Sequence, residues 1–399
     1  MTRLDRPDPF LRNKREEDIA SRADWLAERF AKRAAKHDLE GSFPFENFED
    51  LKQSGYLKLT VPNAFGGEEG SAYEMVLSQE RLARGDGSTA LAVGWHIGLL
   101  LQLRLSRAWP EKLFAELCRE TVASGAVINE LISEIATGSP SRGGRPETTA
   151  TRVAGGWRIN GRKTYSTLSP VLTFFTVSAA IEDSDKVGIF FVRQGAGIVI
   201  EETWNTLGMR ATGSHDVVLR DVFVPDEDTI RGLDPVTAAP VPTEATLLHI
   251  PACYLGIAHA ARDFALEFAR KHKPNSLTVP IAELPHIKRQ IGQIEADLLT
   301  ARSYLFHTAD RWDKEPDNRV HMKHELGLAK YTATNAAIRI VDQAMRIVGA
   351  LSLSRSLPLE RMYRDVRAGL HNPPMDDAVL LNLANNAIGE LPQTPPSKS

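Results

Sequence analysis

Cysteine is nearly absent from this chain: Cys118 and Cys253 are the two among 399 residues, far apart and in no paired pattern. That excludes a disulfide scaffold and a cysteine-built zinc site, and it fits a reducing cytoplasm. Long apolar runs are lacking too. No stretch of about 18 apolar residues occurs to span a bilayer, and the opening MTRLDRPDPFLRNKREEDIA is charged, unlike a secretory signal. Nor is there a surplus of one charge, since 48 Lys and Arg against 51 Asp and Glu leave a formal net charge of −3. Without a basic surplus, neither nucleic acid nor an anionic membrane is an expected partner. A further absence concerns glycine. No G-x-G-x-x-G or G-x-x-x-x-G-K-[ST] segment falls between a strand pattern and a helix pattern, so no phosphate-cradling loop announces a nucleotide.

What is present is an ordinary globular balance, 42% hydrophobic and 25% charged, in a chain long enough for two or three structural units. Residues 1–123 read as an all-helical unit. There Ile19, Trp25, Leu26, Phe30 and Ala34 recur at helical spacing and Gly41 stops the helix, while Gly55, Pro62 and the Gly66-Gly67 pair break the segment that follows. Residues 124–234 change to alternation. TTATRVAGGWRINGRKTYST predicts a hairpin turning at Gly155-Gly156, and FFTVSAAI, VGIFFVRQ and DVVLRDVFVP predict further strands. Residues 235–399 return to long amphipathic helices, predicting a four-helix bundle, and the closing LPQTPPSKS reads as a disordered tail. The fold class is therefore α+β in three domains: helical, β, helical.

One join stands out. In GMRATGSHDVVLRDVFVP, Gly208 and Gly213 permit a tight turn, Ser214 and His215 offer hydrogen bonds, and an alternating strand follows. Taken alone this is a well-formed turn and strand. The longer stretch LGMRATGSHDVVLRDVFVP resembles the signature segment of the acyl-CoA dehydrogenase superfamily of flavoproteins, and other segments follow in family order. GYLKLTVPNAFGGEEG with QERLARGDGSTALAVGWH is similar to the family's N-terminal domain, and LFAELCRETVASGAVINE to the entry into its β-domain. GGWRINGRKTYSTLSP resembles its flavin-contacting hairpin, YLGIAHAARDFALEFAR the first bundle helix, and LPLERMYRDVRAG its closing arginine-aspartate motif. The resemblance implies a homotetramer with flavin, FAD or alternatively FMN, held between domains and partly by a neighbouring subunit.

Carried over by position, the resemblance implies site residues. Asn129-Glu130 stands at the family's Thr-Glu pair, whose backbone faces the flavin; Tyr165 and Thr167 stand where an aromatic stacks near the ring and a threonine hydrogen-bonds it. Both are equally ordinary strand residues by composition. Ser139 corresponds to a serine on the phosphate or substrate side. His272 replaces an arginine that reaches a neighbour's flavin pyrophosphate, and Arg346 replaces a glutamine; with Lys271 and Lys273 they supply positive charge for a phosphate. His96, the polar residue in the apolar run VGWHIGLL, is either a satisfied core histidine or a lining of the substrate cavity.

The match fails at the base. The family's dehydrogenation uses a glutamate a few residues beyond the arginine-aspartate motif, and here Pro373 occupies that place. At the alternative position, at the start of the first bundle helix, stands Thr246, with Glu244 two residues earlier at a substrate-contacting place and Leu247 in place of an arginine. His371, Asp376 and Asp377 in GLHNPPMDD are the candidate acid-base replacements, although the same residues make a solvated turn. The main expectation is a flavin-dependent oxidoreductase of acyl-CoA dehydrogenase type, oxidising an acyl thioester and passing electrons to a protein. The alternatives are a reduced-flavin-dependent monooxygenase on the same fold, served by a flavin reductase and needing no glutamate base, and a non-catalytic flavin-binding homologue.

Overall fold

The computed structural model describes residues 8–137, 144–231 and 244–389. Five helices come first: α1 (Lys14–Glu40), α2 (Phe45–Gln53), α3 (Ala72–Ala83), α4 (Gly87–Ser106) and α5 (Glu111–Ser124). The Asn13 side chain caps α1 by accepting from the Glu16 amide, and Gly41, in the left-handed region, ends it. Ile19, Leu26, Phe30 and Ala34 are buried along one stripe as the spacing predicts, but Trp25 is 46% exposed. It lies a third of a turn off that stripe, and the Arg29 guanidinium covers its ring. Helix α4 is buried nearly all round, which accounts for its unbroken apolar sequence.

The β-domain is one eight-stranded sheet: β1 (Ile128–Leu131), β2 (Thr149–Val153), β3 (Gly156–Lys163), β4 (Phe174–Ile181), β5 (Val187–Arg193), β6 (Ile198–Glu201), β7 (Asp216–Pro225) and β8 (Thr229–Arg231). Its order is β6-β7-β3-β2-β4-β5-β8. The β2–β3 hairpin turns at Gly155 with Val153 opposite Gly156, as the sequence predicts. Strand β4 is buried along its whole length; β5 pairs with it antiparallel, while β1 and β2 both pair with it in parallel on the other side. Beneath the β1–β2 connection the Lys163 ammonium meets Glu134 at 2.6 Å, both side chains out of water, and Glu134 also accepts from the amides of Glu147 and Thr148. Such a pair is tolerated because its remaining hydrogen-bonding capacity is met.

The C-terminal bundle consists of α6 (His249–Lys271), α7 (Pro285–Lys314) and α8 (Lys323–Val348), packed along one another and closed by the shorter α9 (Leu359–Arg367) and α10 (Asp376–Gly389). Buried Glu80 on α3 pairs with Arg302 on α7 at 2.7 Å and fastens the bundle to the N-terminal helices. Among the described residues no helix is long and apolar enough to cross a membrane, and no cluster of His, Cys, Asp and Glu is arranged to hold a metal ion.

The three domains meet at the Arg364-Asp365 motif. Arg364 forks onto Asp38 at the end of α1, at 2.9 and 2.6 Å, and donates to the Leu207 carbonyl. Its neighbour Asp365, fully buried, accepts from the Met209 amide at 2.6 Å. Gly208 lets this happen: a Cβ there would stand 2.4 Å from the Arg364 carbonyl oxygen.

Burial, with Asp38 and Asp86 nearby, pushes the Asp365 carboxyl up to about 7 against the partial relief of the Met209 amide. An unfolded aspartate releases its proton near 4, so between there and 7 the native state holds more protons than the unfolded one. This contribution to stability therefore falls as pH rises through that window and is constant above it. Asp365→Asn keeps an oxygen for Met209 and removes the titration. Thermal unfolding across pH should find the two proteins alike near pH 4 and the variant higher by about 5 °C at pH 8; parallel profiles would contradict the assignment.

Candidate active site

The loop between β3 and β4 is zipped onto the turn before β7. Amides of Ser166, Leu168 and Ser169 donate to the carbonyls of His215, Thr212 and Gly213. Thr167 and Ser214 share a hydroxyl hydrogen bond at 2.8 Å, which Ser214 extends to Thr212. Asn129 on β1 joins this network. Its amide donates to the Thr167 carbonyl at 2.9 Å and its oxygen accepts from the Glu130 amide, so its side chain locks strand to loop.

Held this way, Tyr165 takes a left-handed backbone conformation, φ 54°, and its ring stands 69% exposed. Trp204 meets that ring edge-on at 5.7 Å. The tryptophan is itself fixed: its indole donates to the Met209 carbonyl, and its amide donates to Nδ1 of His215, an imidazole whose pKa burial lowers. Beside Tyr165, the hydroxyls of Ser166 and Thr164 are buried with no hydrogen-bond partner among the described residues. Unpaired buried hydroxyls are uncommon and costly. An exposed aromatic face flanked by unsatisfied hydroxyls fits an isoalloxazine ring, which needs stacking at its face and hydrogen bonds at its polar edge.

A second loop, between α9 and α10, carries the candidate acid-base residues. Tyr254 of α6, fully buried, donates to the Asn372 amide oxygen at 2.5 Å, next to His371. At the other end Asp376 accepts from Lys330 at 3.0 Å and from Asn335 at 2.8 Å, one carboxylate oxygen to each. Asp376 thus anchors the loop to α8 and opens α10, whereas His371 and Asp377 are exposed. Between the anchors sits Pro373, which has no proton-accepting side chain.

The third element is the start of α6 against α4. His96 is wholly buried and both ring nitrogens are engaged: Nε2–H donates to the Leu57 carbonyl, and Nδ1 accepts from the Ile128 amide. Burial holds it near 4, so it is neutral and acts as a bracket between α4 and β1. Thr246 lies in the short turn Glu244–Leu248 leading into α6. Sequence reasoning missed the histidine three residues on. His249 donates from Nδ1 to the Thr246 carbonyl at 2.6 Å, and its buried Nε2 has no partner among the described residues. Its ring fits because α4 carries Gly94, where a Cβ would approach within 2.4 Å. A histidine set in the apolar run LLHIPACYLG was the available signal, the same pattern that drew attention to His96.

Other expected residues lie apart. His272 follows the last turn of α6, stacked on Phe268, and Arg346 lies in the last turn of α8, paired with Asp342. Glu130 is exposed at the edge of β1. Ser139 falls outside the described residues.

Two substitutions check these supports. Tyr254→Phe should cost about 1 kcal/mol and speed amide exchange across residues 369–375 while the α8 core stays protected. His96→Leu strands the Leu57 carbonyl and the Ile128 amide, so denaturant unfolding should show a loss of about 3 kcal/mol; a neutral result would remove its bracketing role.

Comparison with known proteins agrees with this geometry. Models of the acyl-CoA dehydrogenase N-terminal, middle and C-terminal domains match residues 14–108, 130–222 and 247–370. YdbM of Bacillus subtilis (strain 168), named provisionally as an acyl-CoA dehydrogenase, is 48% identical over 95% of this chain and 99% of its own. L-evernosamine nitrososynthase of Micromonospora sp. (strain ATCC 39149 / NRRL 15099 / SCC 1413) is 32% identical over 86% of this chain and 82% of its own. The structure of KijD3 in complex with FMN and dTDP-3-amino-2,3,6-trideoxy-4-keto-3-methyl-D-glucose superposes with a TM-score of 0.81 at 26% identity, covering 98% of this chain and 96% of that one. With three domains matched in order and a flavin-compatible loop in the middle one, the chain belongs to the acyl-CoA dehydrogenase family of flavoproteins.

Proposed function

We propose that this flavin-dependent oxidoreductase is a monooxygenase that takes reduced FMN from a separate reductase and oxygenates a small molecule. The observation that carries the reading is the missing base. Pro373 and Thr246 occupy both positions where the family places its glutamate, and Asp376 is committed to Lys330 and Asn335. The loop suited to the flavin ring is nevertheless intact. A site that keeps its flavin face but lacks a carboxylate for α-proton removal is suited to chemistry in which the flavin, not a side chain, provides the reactive group.

When bound, reduced FMN would supply the activation of oxygen. Tyr165 and Trp204 would hold its ring, Ser166 and Thr164 would offer hydroxyls to its polar edge, and the Asn129–Thr167–Ser214 network holds that surface in place. His371, on a loop fixed at both ends, is the group able to give or take a proton. Leu247, in place of an arginine, offers no charge to a coenzyme A moiety. The nitrososynthase and the FMN-bound KijD3 structure support this reading. The name of YdbM supports the other one, thioester oxidation with FAD. Leu351, Leu353 and Leu381, large and exposed on the bundle, support assembly as a homotetramer.

Anaerobic titration of the flavin-loaded protein with acyl-CoA thioesters separates the two. The expected outcome is that none bleaches the flavin, that reduced FMN binds at least about tenfold more tightly than oxidised FMN, and that His371→Ala lowers turnover by about a hundredfold or more. Bleaching of bound flavin by any thioester would sink the monooxygenase reading. A chain that bound neither FMN nor FAD would sink both.

A further inference from the structure

Behind the loop that carries His371 lies a cavity of about 180 Å³. Its apolar wall is Leu247 and Leu248 before α6, Leu326 of α8, Val379 of α10, and Pro373 with Pro374 from the loop itself. A closed apolar space of about 150 Å³ is enough to take a benzene ring. The remaining lining is polar and one-sided: Lys323, His324, Lys330 and Asn382, with no carboxylate among them. Lys330 is buried to 1% exposure and its ammonium has three protons, of which Asp376 takes one. Nδ1 of His324 is buried without a partner. Buried Lys330 and the unpartnered His324 imidazole thus line an otherwise apolar space, exposed Lys323 stands at its solvent side, and Asp376 takes one of the Lys330 protons.

We propose that this cavity is a substrate subsite for a small monocyclic carboxylate, with the ring against the leucines and prolines and the carboxylate toward Lys330, His324 and Lys323. The assignment as substrate rests on the monooxygenase reading; the recognition chemistry does not. Charge supplies orientation, because a carboxylate leaving water needs donors in place, and Lys330 and Lys323 bring both charge and protons. The loop gives the link to chemistry. Pro373 and Pro374 form one wall, between the Asn372 and Asp376 anchors, and His371 directly precedes the Asn372 anchor on the same loop. A ring seated against the prolines is thereby placed next to the residue that handles the proton.

Benzoate is the probe and benzamide its neutral counterpart, titrated by calorimetry into the full chain with and without FMN. Two variants accompany the wild type. Gly327→Leu fills the cavity from α8; a Cβ there would lie 3.4 Å from Val379, an ordinary contact, and leucine favours a helix more than glycine does. His324→Leu removes the imidazole and is the check if the first variant fails to fold. The expected result is saturable benzoate binding at one site per chain, benzamide at least about tenfold weaker, a loss of about tenfold or more in Gly327→Leu and about fivefold in His324→Leu. No saturation by about 10 mM benzoate, equal binding of benzamide, or unchanged affinity in both variants would overturn the proposal. FMN binding, followed in the same samples, separates the two ideas: FMN bound without benzoate retires the cavity alone. Benzoate bound in a chain that takes no flavin keeps the anion site and retires its role as a substrate subsite.

Discussion

The hydrogen bond from the Met209 amide to the buried Asp365 carboxyl is the contact on which the arrangement of this molecule depends. It joins α9 to the turn before β7, and the adjacent Arg364 extends the junction to Asp38 at the end of α1. The same turn accepts the backbone of the loop that presents Tyr165, and the Met209 carbonyl receives the Trp204 indole. A shift at Asp365 would therefore reach the surface that presents Tyr165 through a few bonded atoms. Domains of this kind are expected to move relative to one another unless something strong joins them; here a forked arginine and a carboxyl in one dipeptide do so.

Much of the fold was legible because its signals are local. Alternation and a Gly-Gly turn specify the β2–β3 hairpin, and the mostly apolar, charge-free FFTVSAAI specifies a strand buried on both faces. What was not legible is non-local. Nothing in INEL announces that β1 lies parallel to β4, since that pairing depends on a connection rather than on a turn. Trp25 misled for a related reason: an aromatic near an apolar stripe reads as core until the helical angle is counted. At the candidate site, Tyr165 and Thr167 were expected from the family pattern, and the structure places them in one hydrogen-bonded loop with Asn129. Trp204, Tyr254, Asn372 and Lys330 were not found, because each acts through a partner tens to more than a hundred residues away.

Two histidines show how burial sorts chemically equal groups. His96 and His249 are both buried and both held near 4, hence neutral. His96 has spent both nitrogens on backbone and is a structural part. His249 has spent one, and its Nε2, one turn beyond Thr246, has no partner among the described residues. The acidic candidates divide in the same way, Asp376 being an anchor and Asp377 a surface residue on α10. Neither aspartate is thus a free buried carboxylate, and the other polar groups of the region are imidazole and ammonium groups.

The left-handed backbone at Tyr165 has an evolutionary corollary. A side chain of that bulk at φ 54° costs on the order of 1–2 kcal/mol relative to glycine or asparagine. Laboratory selection scoring heat resistance alone would thus be drawn to small residues at this position, and each such gain would erase the exposed ring that faces Trp204. Thermostable descendants of this chain would need to be screened for the proposed flavin contact at the same time, because at Tyr165 robustness and an exposed aromatic ring pull the sequence in opposite directions.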